Sequence, residues 1–370
     1  MNINLLFAGK EKNITGVNRL ICECLSEILT IDKKNNYYTS EDNWLGFKIN
    51  NSCNTVVTEI VPLEIRTAFF MKLNGISLVH SFYNPFDKVK FEDEKKIITV
   101  HDVTPLVNDK WFNGDKAWKD FFDVRLRKSC EIADMICSVS QNTKKDIVEY
   151  FNIPEEKIRV VYPGCYLPYK GRLDKEFSEN DVMKKYGLVN REFILSVCTI
   201  EPRKNLKGLI EAFKIFKEHN RESPIKLVLC GRLGWDNTFS AFYEGFPEKF
   251  KADVVLTGYV SDADLDVLYE NALAFAYVSF YEGFGSPILE ALQRKKAVIC
   301  SNISSMPEVG GDAVLYCNPY NVESIFEDME RLANDSELVA SLEKKAFLQA
   351  SKFSYKKMAR EMVDIYNMFG

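Results

Sequence analysis

Residues 273–292, LAFAYVSFYEGFGSPILEAL, decide how the chain folds. Leu273 to Phe280 is an uncharged, β-prone run, which fits a strand covered on both faces better than an exposed edge. Gly283 and Gly285 allow a tight turn. Ser286 then reads as an N-cap with Pro287 at the first position of a helix reaching Arg294. A buried strand, a glycine turn and a helix N-terminus together present N–H groups to an anion. Glu282 and Glu290 bracket this turn with seven residues between them. An ionised carboxylate only accepts hydrogen bonds and a sugar diol donates them, so the pair suits polyhydroxyl groups. The bland alternative is a surface turn with two solvated glutamates.

The same strand and helix grammar runs outward in both directions. Toward the C-terminus, AVICSN (297–302) and AVLY (313–316) read as strands, followed by helices at 322–333, 337–353 and 355–369. Upstream, FILSVC (193–198), IKLVLCG (225–231) and VVLTGYV (254–260) are strands with helices at 205–216 and 262–270. The first half repeats the pattern with INLLFAG (3–9), VVTEIV (56–61), SLVHSFY (77–83), KKIITVHD (95–102), MICSVS (135–140) and IRVVYPG (158–164). Helices are expected there at 17–28, 64–73, 118–134 and 141–150, the last capped by Ser140. Such alternation gives an α/β fold with parallel sheets covered on both faces. A chain of 370 residues exceeds one core, so two domains are expected. Residues 165–189, with Pro168 and Gly171, mark the boundary, giving domains at 1–168 and 169–354 and a last helix at 355–370 that can cross back onto the first.

Hydrophobic residues make up 46% and charged residues 27%, the balance of an ordinary soluble globular protein. A net charge of -5 disfavours a broad nucleic-acid footprint. Through Lys170 there are 23 basic and 23 acidic residues, against 25 and 30 afterwards, so the acidic excess lies in the second half. A neutral first half tolerates an anionic membrane surface. Lys144 with Lys145, and Arg125, Arg127 with Lys128, would be its contacts, with solvated helix faces as the equal alternative. No stretch has transmembrane length and the first residues read as a strand, so a cytoplasmic location is expected. Ten cysteines without a CxxC pair, and only His80, His101 and His219, favour buried thiols over zinc. Asp262, Asp264 and Asp266 open a helix, where acids complement the dipole.

Open α/β sheets bind ligands at the carboxyl ends of their strands. That rule collects the 9–16 loop, His80, His101 with Asp102, and Ser140 in the first half. In the second it collects Arg203 with Lys204, Gly231 with Arg232, Gly258, and the Glu282 to Glu290 run. In SVCTIEPRKNLKGLIEAF (196–213) a strand crosses a short loop into a helix at Arg203 and Lys204. Arg engages two oxygens as a fork and Lys adds a compact charge, which suits a diphosphate; an exposed loop pair is the alternative. His101 directly follows KKIITV and can donate to a sugar hydroxyl or to developing charge, or can tie down its own loop. His80 has the same placement in weaker form. GxSxG, Walker-type and HExxH signatures are missing, and the first glycine loop fails the GxGxxG pattern, which disfavours dinucleotide oxidation.

With these segments in place the chain closely resembles the retaining glycosyltransferases of family 4, which include bacterial mannosyl- and glucosyltransferases of surface glycan assembly. The resemblance is carried by 196–213, LCGRLGW (229–235), LTGYVSDADLDVLYENA (256–272), SFYEGFGSPILEAL (279–292) and SNISSMPEVGGDAVLY (301–316). GVNRL (16–20), TVHDVTPL (99–106), SVSQNTKKDI (138–147) and VVYPG (160–164) carry it in the first half. It implies the GT-B fold, with two facing Rossmann-like domains, parallel sheets and an interdomain cleft. It also implies that Glu290 accepts the donor ribose hydroxyls, that Glu282 lies beside the transferred sugar, and that the backbone of Gly283, Phe284, Gly285 and Ser286 holds sugar and phosphate. Arg203 and Lys204 match the family's pyrophosphate clamp, His101 the histidine near the donor sugar, Gly16 the glycine loop, and Arg232 the nucleotide side. Relatives often have proline where this chain has Val278, and glycine-proline in place of Lys296 and Ala297.

The reaction so implied moves a hexose, with mannose favoured, from a nucleoside diphosphate sugar to a hydroxyl of a glycan or lipid-linked saccharide, with retention and without a divalent metal or other cofactor. GDP-mannose is the favoured donor, with UDP- and dTDP-sugars as alternatives. Lys204→Ala and Glu290→Ala are expected to depress transfer and leave the fold intact. The expected place of action is the cytoplasm, at the inner face of the cytoplasmic membrane where the acceptor is lipid-linked. A sugar-nucleotide epimerase and a noncatalytic nucleotide-sugar or glycan-binding module are the rival readings.

Overall fold

The computed structural model describes residues 1–6, 16–40, 47–48, 71–83, 85–86, 91–112, 114–165 and 179–370. The expected VVTEIV strand, most of the 64–73 helix and of the glycine loop before Gly16, and the 168/169 boundary lie outside these residues. Contacts divide the chain into two compact units. One comprises Met1–Asp109, Gly114–Gly164 and Phe353–Gly370; the other comprises Lys110–Asn113 and Cys165–Lys352.

The first unit is built on β1 (Asn2–Leu6), β2 (Asn36–Ser40), β3 (Phe47–Lys48), β4 (Leu78–Ser81), β5 (Lys95–Val100), β6 (Met135–Ser138) and β7 (Ile158–Val160). Their order is β3-β2-β1-β4-β5-β6-β7, with every pair parallel except β2 with β3. β4 and β6 are buried at every residue, including the polar His80 and Ser81 of β4. One face is covered by the helices Gly16–Ile31 and Tyr355–Asn367, whose Ile21, Cys24, Ile28, Met358, Met362 and Tyr366 pack on Ile3, Leu5 and Leu78. The other face is closed by Phe122, Leu126, Cys130, Ile147 and Phe151. Gly164 passes so close to the last helix that a β-carbon on it would lie 2.2 Å from the backbone nitrogen of Tyr355.

The second unit orders β8 (Phe193–Val197), β9 (Lys226–Cys230), β10 (Val254–Gly258), β11 (Ala274–Tyr277), β12 (Ala297–Ser301) and β13 (Leu315–Cys317) as β10-β9-β8-β11-β12-β13, all parallel. The chain lays β9 and β10 on one side of β8, then crosses to build β11, β12 and β13 on the other. The switch point therefore falls outside the carboxyl ends of β8 and β11, where open α/β sheets bind ligands.

Three local elements differ from the sequence reading. The expected 118–134 helix is Lys116–Asp120 and Arg127–Ile132 joined through a π-helical segment at Phe121–Leu126. NYYTS forms β2 although it lacks an apolar run, because Tyr37 and Tyr38 bury bulky rings on alternate faces. The short helices Phe239–Glu244, Glu248–Lys251 and Met306–Gly310 span too few turns to show a helical period. Ser140 caps Gln141–Phe151 through the Thr143 amide, as its sequence suggests. Among the described residues no helix is long and apolar enough to cross a membrane.

Candidate functional site

The loop after β8 enters a single turn at Pro202–Lys204, and Asn205, in the left-handed region at φ 54°, turns it into the helix Leu206–His219. The loop after β11 carries Val278 to Gly285. The two loops are stitched together at the switch point. The Phe280 amide donates to the Arg203 carbonyl at 2.8 Å, and Asn205 Nδ2 donates to the carbonyls of Val278 at 3.2 Å and Pro319 at 2.8 Å. Val278 thus meets this loop through its carbonyl, which any residue supplies.

Four charged side chains converge there. Arg203 Nη1 donates to Glu282 Oε2 at 2.6 Å and to the Tyr281 carbonyl at 2.8 Å, and Nη2 donates to Glu201 Oε1 at 2.5 Å. Lys204 Nζ donates to Glu282 Oε1 at 2.7 Å and to the Tyr277 hydroxyl at 2.8 Å. Lys204 and Glu282 are only 10% and 9% exposed, so both charges depend on each other instead of on water. Burial alone would push the Glu282 carboxyl up, but Arg203 and Lys204 override it and hold it at about 2. Glu201 moves the other way: burial raises it, Arg203 and Lys204 offset that only in part, and Glu282 adds to the rise. Tyr277 stays a neutral hydroxyl, pushed well up by burial and then by the Glu282 charge.

A layer of serines fixes the glutamate backbone. Ser304 Oγ accepts from the Glu282 amide at 3.1 Å and donates to the Glu282 carbonyl at 2.6 Å; Ser305 Oγ donates to the carbonyls of Glu282 at 2.8 Å and Phe284 at 2.9 Å. Gly283, Phe284 and Gly285 are buried and Ser286 is exposed. The helix runs Ser286–Gln293 with Gly285 as its N-cap at φ 101°, so Ser286 is its first residue and not the cap. That correction has a steric cause, since only glycine reaches this backbone region without strain. Glu290 belongs to a neighbouring network. The Tyr269 hydroxyl donates to Glu290 Oε2 at 3.2 Å, while Arg294 donates to the Glu290 carbonyl at 3.0 Å, pairs with Asp266 and lies 4.7 Å over the Tyr269 ring. Arg232 is exposed beyond β9, 5.2 Å over the Tyr259 ring.

In the first unit, His101 follows β5 directly. Its Nε2 lies 2.8 Å from the Phe82 carbonyl, which can only accept, so Nε2 carries the proton. Burial lowers the pKa of the ring, with the Phe82 carbonyl and Asp102 opposing, so the ring is neutral and its Nδ1 is an acceptor. Its Nε2 proton is thus engaged within the first unit, which matches the loop-holding role among those the sequence left open for this ring. His80 is structural: its two ring nitrogens meet the Tyr366 hydroxyl at 2.7 Å and Thr99 Oγ1 at 2.9 Å inside the core. Gly16 is the first residue of its helix. Of the three aspartates after Ser261, Asp264 pairs with Lys185 and Asp266 with Arg294. Lys296 is buried and donates to the Glu270 carbonyl at 2.7 Å, closing the end of the helix Asp262–Asn271.

Sequence reasoning brought Arg203, Lys204 and Glu282 forward but missed Glu201, Tyr277, Tyr269 and the serine pair. Glu201 stood inside the segment that drew attention to Arg203, as an isolated acid between an apolar strand and a proline. To the expectation that Lys204→Ala leaves the fold intact, the burial of Lys204 beside two carboxylates adds a cost in stability.

Residues 178–349 match the family Glycosyl transferases group 1, and residues 60–167 match Glycosyltransferase Family 4. Over 277 residues the chain is 31% identical to the O-antigen chain mannosyltransferase B of Escherichia coli, covering 74% of this chain and 71% of that one. The crystal structure of a glycosyltransferase from Rickettsia africae superposes with a TM-score of 0.71 at 18% identity, covering 100% of this chain and 98% of that one. Anabaena HepE in complex with UDP superposes with a TM-score of 0.71 at 14% identity, covering 100% of both. The chain belongs to the family 4 glycosyltransferases and has their GT-B fold. It is a glycosyltransferase.

Proposed function

We propose that the chain transfers a hexose, with mannose favoured, from a nucleoside diphosphate sugar to a hydroxyl of a growing surface glycan or lipid-linked saccharide, with retention of configuration. The observation that carries this reading is the buried cluster of Arg203 and Lys204 on Glu282 at the switch point of the second unit. It supplies two fixed cations for a leaving diphosphate beside a carboxylate that can accept from sugar hydroxyls. Similarity to an O-antigen chain mannosyltransferase supports mannose and a glycan acceptor; GDP-mannose is the donor this reading favours, with UDP- and dTDP-sugars as alternatives.

In this reading the acceptor attacks from the face the diphosphate leaves, and the departing phosphate takes the acceptor proton. Stabilisation by Arg203 and Lys204 grows as charge develops on the leaving oxygen, which is the condition for lowering the barrier and not merely tightening binding. Glu290, held by Tyr269, accepts from the ribose. Gly283 to Ser286 and Arg232 contribute to donor binding, and the roles of Gly16 and His101 are those the family resemblance implies. The neutral His101 ring accepts a hydrogen bond from a hydroxyl through Nδ1 and acts neither as an acid nor as a general base. Enzyme acting on a lipid-linked acceptor works at the inner face of the cytoplasmic membrane.

The test is nucleotide release from GDP-mannose, UDP-glucose and dTDP-glucose with a saccharide acceptor, with product linkage read by NMR. Release that requires acceptor and an axial product from an axial donor are expected, with full activity in chelator. A Glu290→Gln variant should lower transfer about tenfold or more. Turnover of the donor without acceptor to an epimeric sugar nucleotide, or binding without any turnover, would replace this reading with one of its rivals.

A further inference from the structure

Glu201 is the deepest member of the charged cluster, 3% exposed against 9% for Glu282, 10% for Lys204 and 14% for Arg203. It lies on the same loop as the cations, two residues before Arg203, and its carbonyl accepts from the Lys204 amide at 3.0 Å. Glu282 comes from the other loop, after β11. Arg203 is divided between the two carboxylates, Nη2 at 2.5 Å from Glu201 and Nη1 at 2.6 Å from Glu282. Lys204 favours Glu282 at 2.7 Å over Glu201 at 3.9 Å. Of the two carboxylates on Arg203, Glu282 is the more exposed and Glu201 the deeper.

We infer that Glu201 is a positioning residue for the donor: it stays on Arg203 Nη2 while the diphosphate takes the place of Glu282 on Arg203 Nη1 and Lys204 Nζ. Donor binding is then an exchange of a carboxylate for phosphate on cations already aimed, and the released Glu282 faces the sugar. The inference rests on the donor-site reading above. Its physical basis is the planar fork of arginine. Without an anchor on Nη2, both terminal nitrogens can close on Glu282 as a bidentate pair, which keeps that carboxylate neutralised and turns the guanidinium away from the leaving oxygen. Removing the Glu201 charge also leaves two cations against one carboxylate, a site that holds phosphate at least as well. Affinity and turnover should therefore separate.

The experiment uses the full chain with Glu201→Gln and Glu201→Asp, titrated calorimetrically with GDP, UDP and dTDP and assayed for turnover with the corresponding sugar donor. Glu201→Gln is expected to bind the nucleoside diphosphate as tightly as the unsubstituted chain or tighter, while kcat falls about tenfold or more. Glu201→Asp, which keeps the charge on a shorter arm, should recover part of that kcat. Turnover within threefold of the unsubstituted chain overturns the inference, and so does parallel loss of affinity and turnover at unchanged Tm. If Glu201→Gln does not fold, the aspartate variant decides alone: affinity kept with kcat lowered supports the inference, any other pattern overturns it. Lys204→Met distinguishes the two levels. Nucleotide binding that ignores Lys204→Met removes the donor-site reading and the inference together, whereas a Lys204-dependent site that ignores Glu201 removes only the inference.

Discussion

Replacing Lys204 with methionine keeps most of the volume of a side chain that is 10% exposed and deletes its charge. Glu201, Arg203, Lys204 and Glu282 sum to zero when all are ionised; the variant leaves one negative charge in excess in a nearly dry cluster. Breaking a buried pair by removing one partner costs about 3–5 kcal/mol, most of it from the uncompensated charge that remains. Arg203 still neutralises part of that charge, so the lower end, about 3 kcal/mol, is expected. For a unit of this size each kcal/mol lowers Tm by about 2–4 °C, giving a fall of roughly 6–12 °C at pH 7.5. The sign of its pH dependence follows from linkage. Burial already raises Glu201, and losing Lys204 removes one of the two cations that oppose that rise, so the folded state binds more protons than the unfolded one and stability falls as pH rises. The deficit should be largest at pH 7.5 and shrink toward pH 5. Calorimetric scans of both proteins at both pH values measure it. A deficit below about 1 kcal/mol, or one equal at the two pH values, would refute the placement of Lys204 as a buried counter-charge.

The pH response of the first unit should be governed in part by His80, whose pKa burial and then the neighbouring His101 lower from 6.5 to about 3. The unfolded chain binds the extra proton between those values, so stability is full above 6.5 and is lost as pH falls, by about 3 kcal/mol between pH 7 and 4.5. Urea titrations should show this slope in the parent chain and a shallower one in His80→Gln; equal slopes would exclude the histidine as its source. Gly285→Ala places a side chain at φ 101°, where the β-carbon makes only an ordinary 3.4 Å contact with Ile288, so its cost is backbone strain of about 1–3 kcal/mol. A lowered Tm with reduced turnover is expected, and unchanged stability would show that the turn relaxes freely.

The parallel strands were legible because burial on both faces writes them as unbroken apolar runs: KKIITV, AFAY and AVICS are each found where the pattern puts them. β2 was not legible because its two buried tyrosines are adjacent, one on each face, and the other three residues of the segment are polar. The helix after Gly285 was readable to one residue, and the error came from weighing serine's capping preference above glycine's backbone freedom. Arg203 and Lys204 were readable as a cationic pair. Their occupation by Glu282 was not, since the partners are 79 and 78 residues apart and meet only because β8 and β11 pair in the sheet. His80 was undecidable for the same reason, its Tyr366 partner lying 286 residues away.

That last contact bears on how the chain is made. The first unit's sheet is finished by residue 164, yet Met358, Met362 and Tyr366, which complete one of its two cores, follow the whole of the second unit in sequence. A ribosome therefore delivers the entire second unit before the first can close. During that interval Ile3, Leu5, Leu20 and Ile21 await their cover, and truncation after Lys352 should leave the early half, not the late one, exposed to chaperones and proteases.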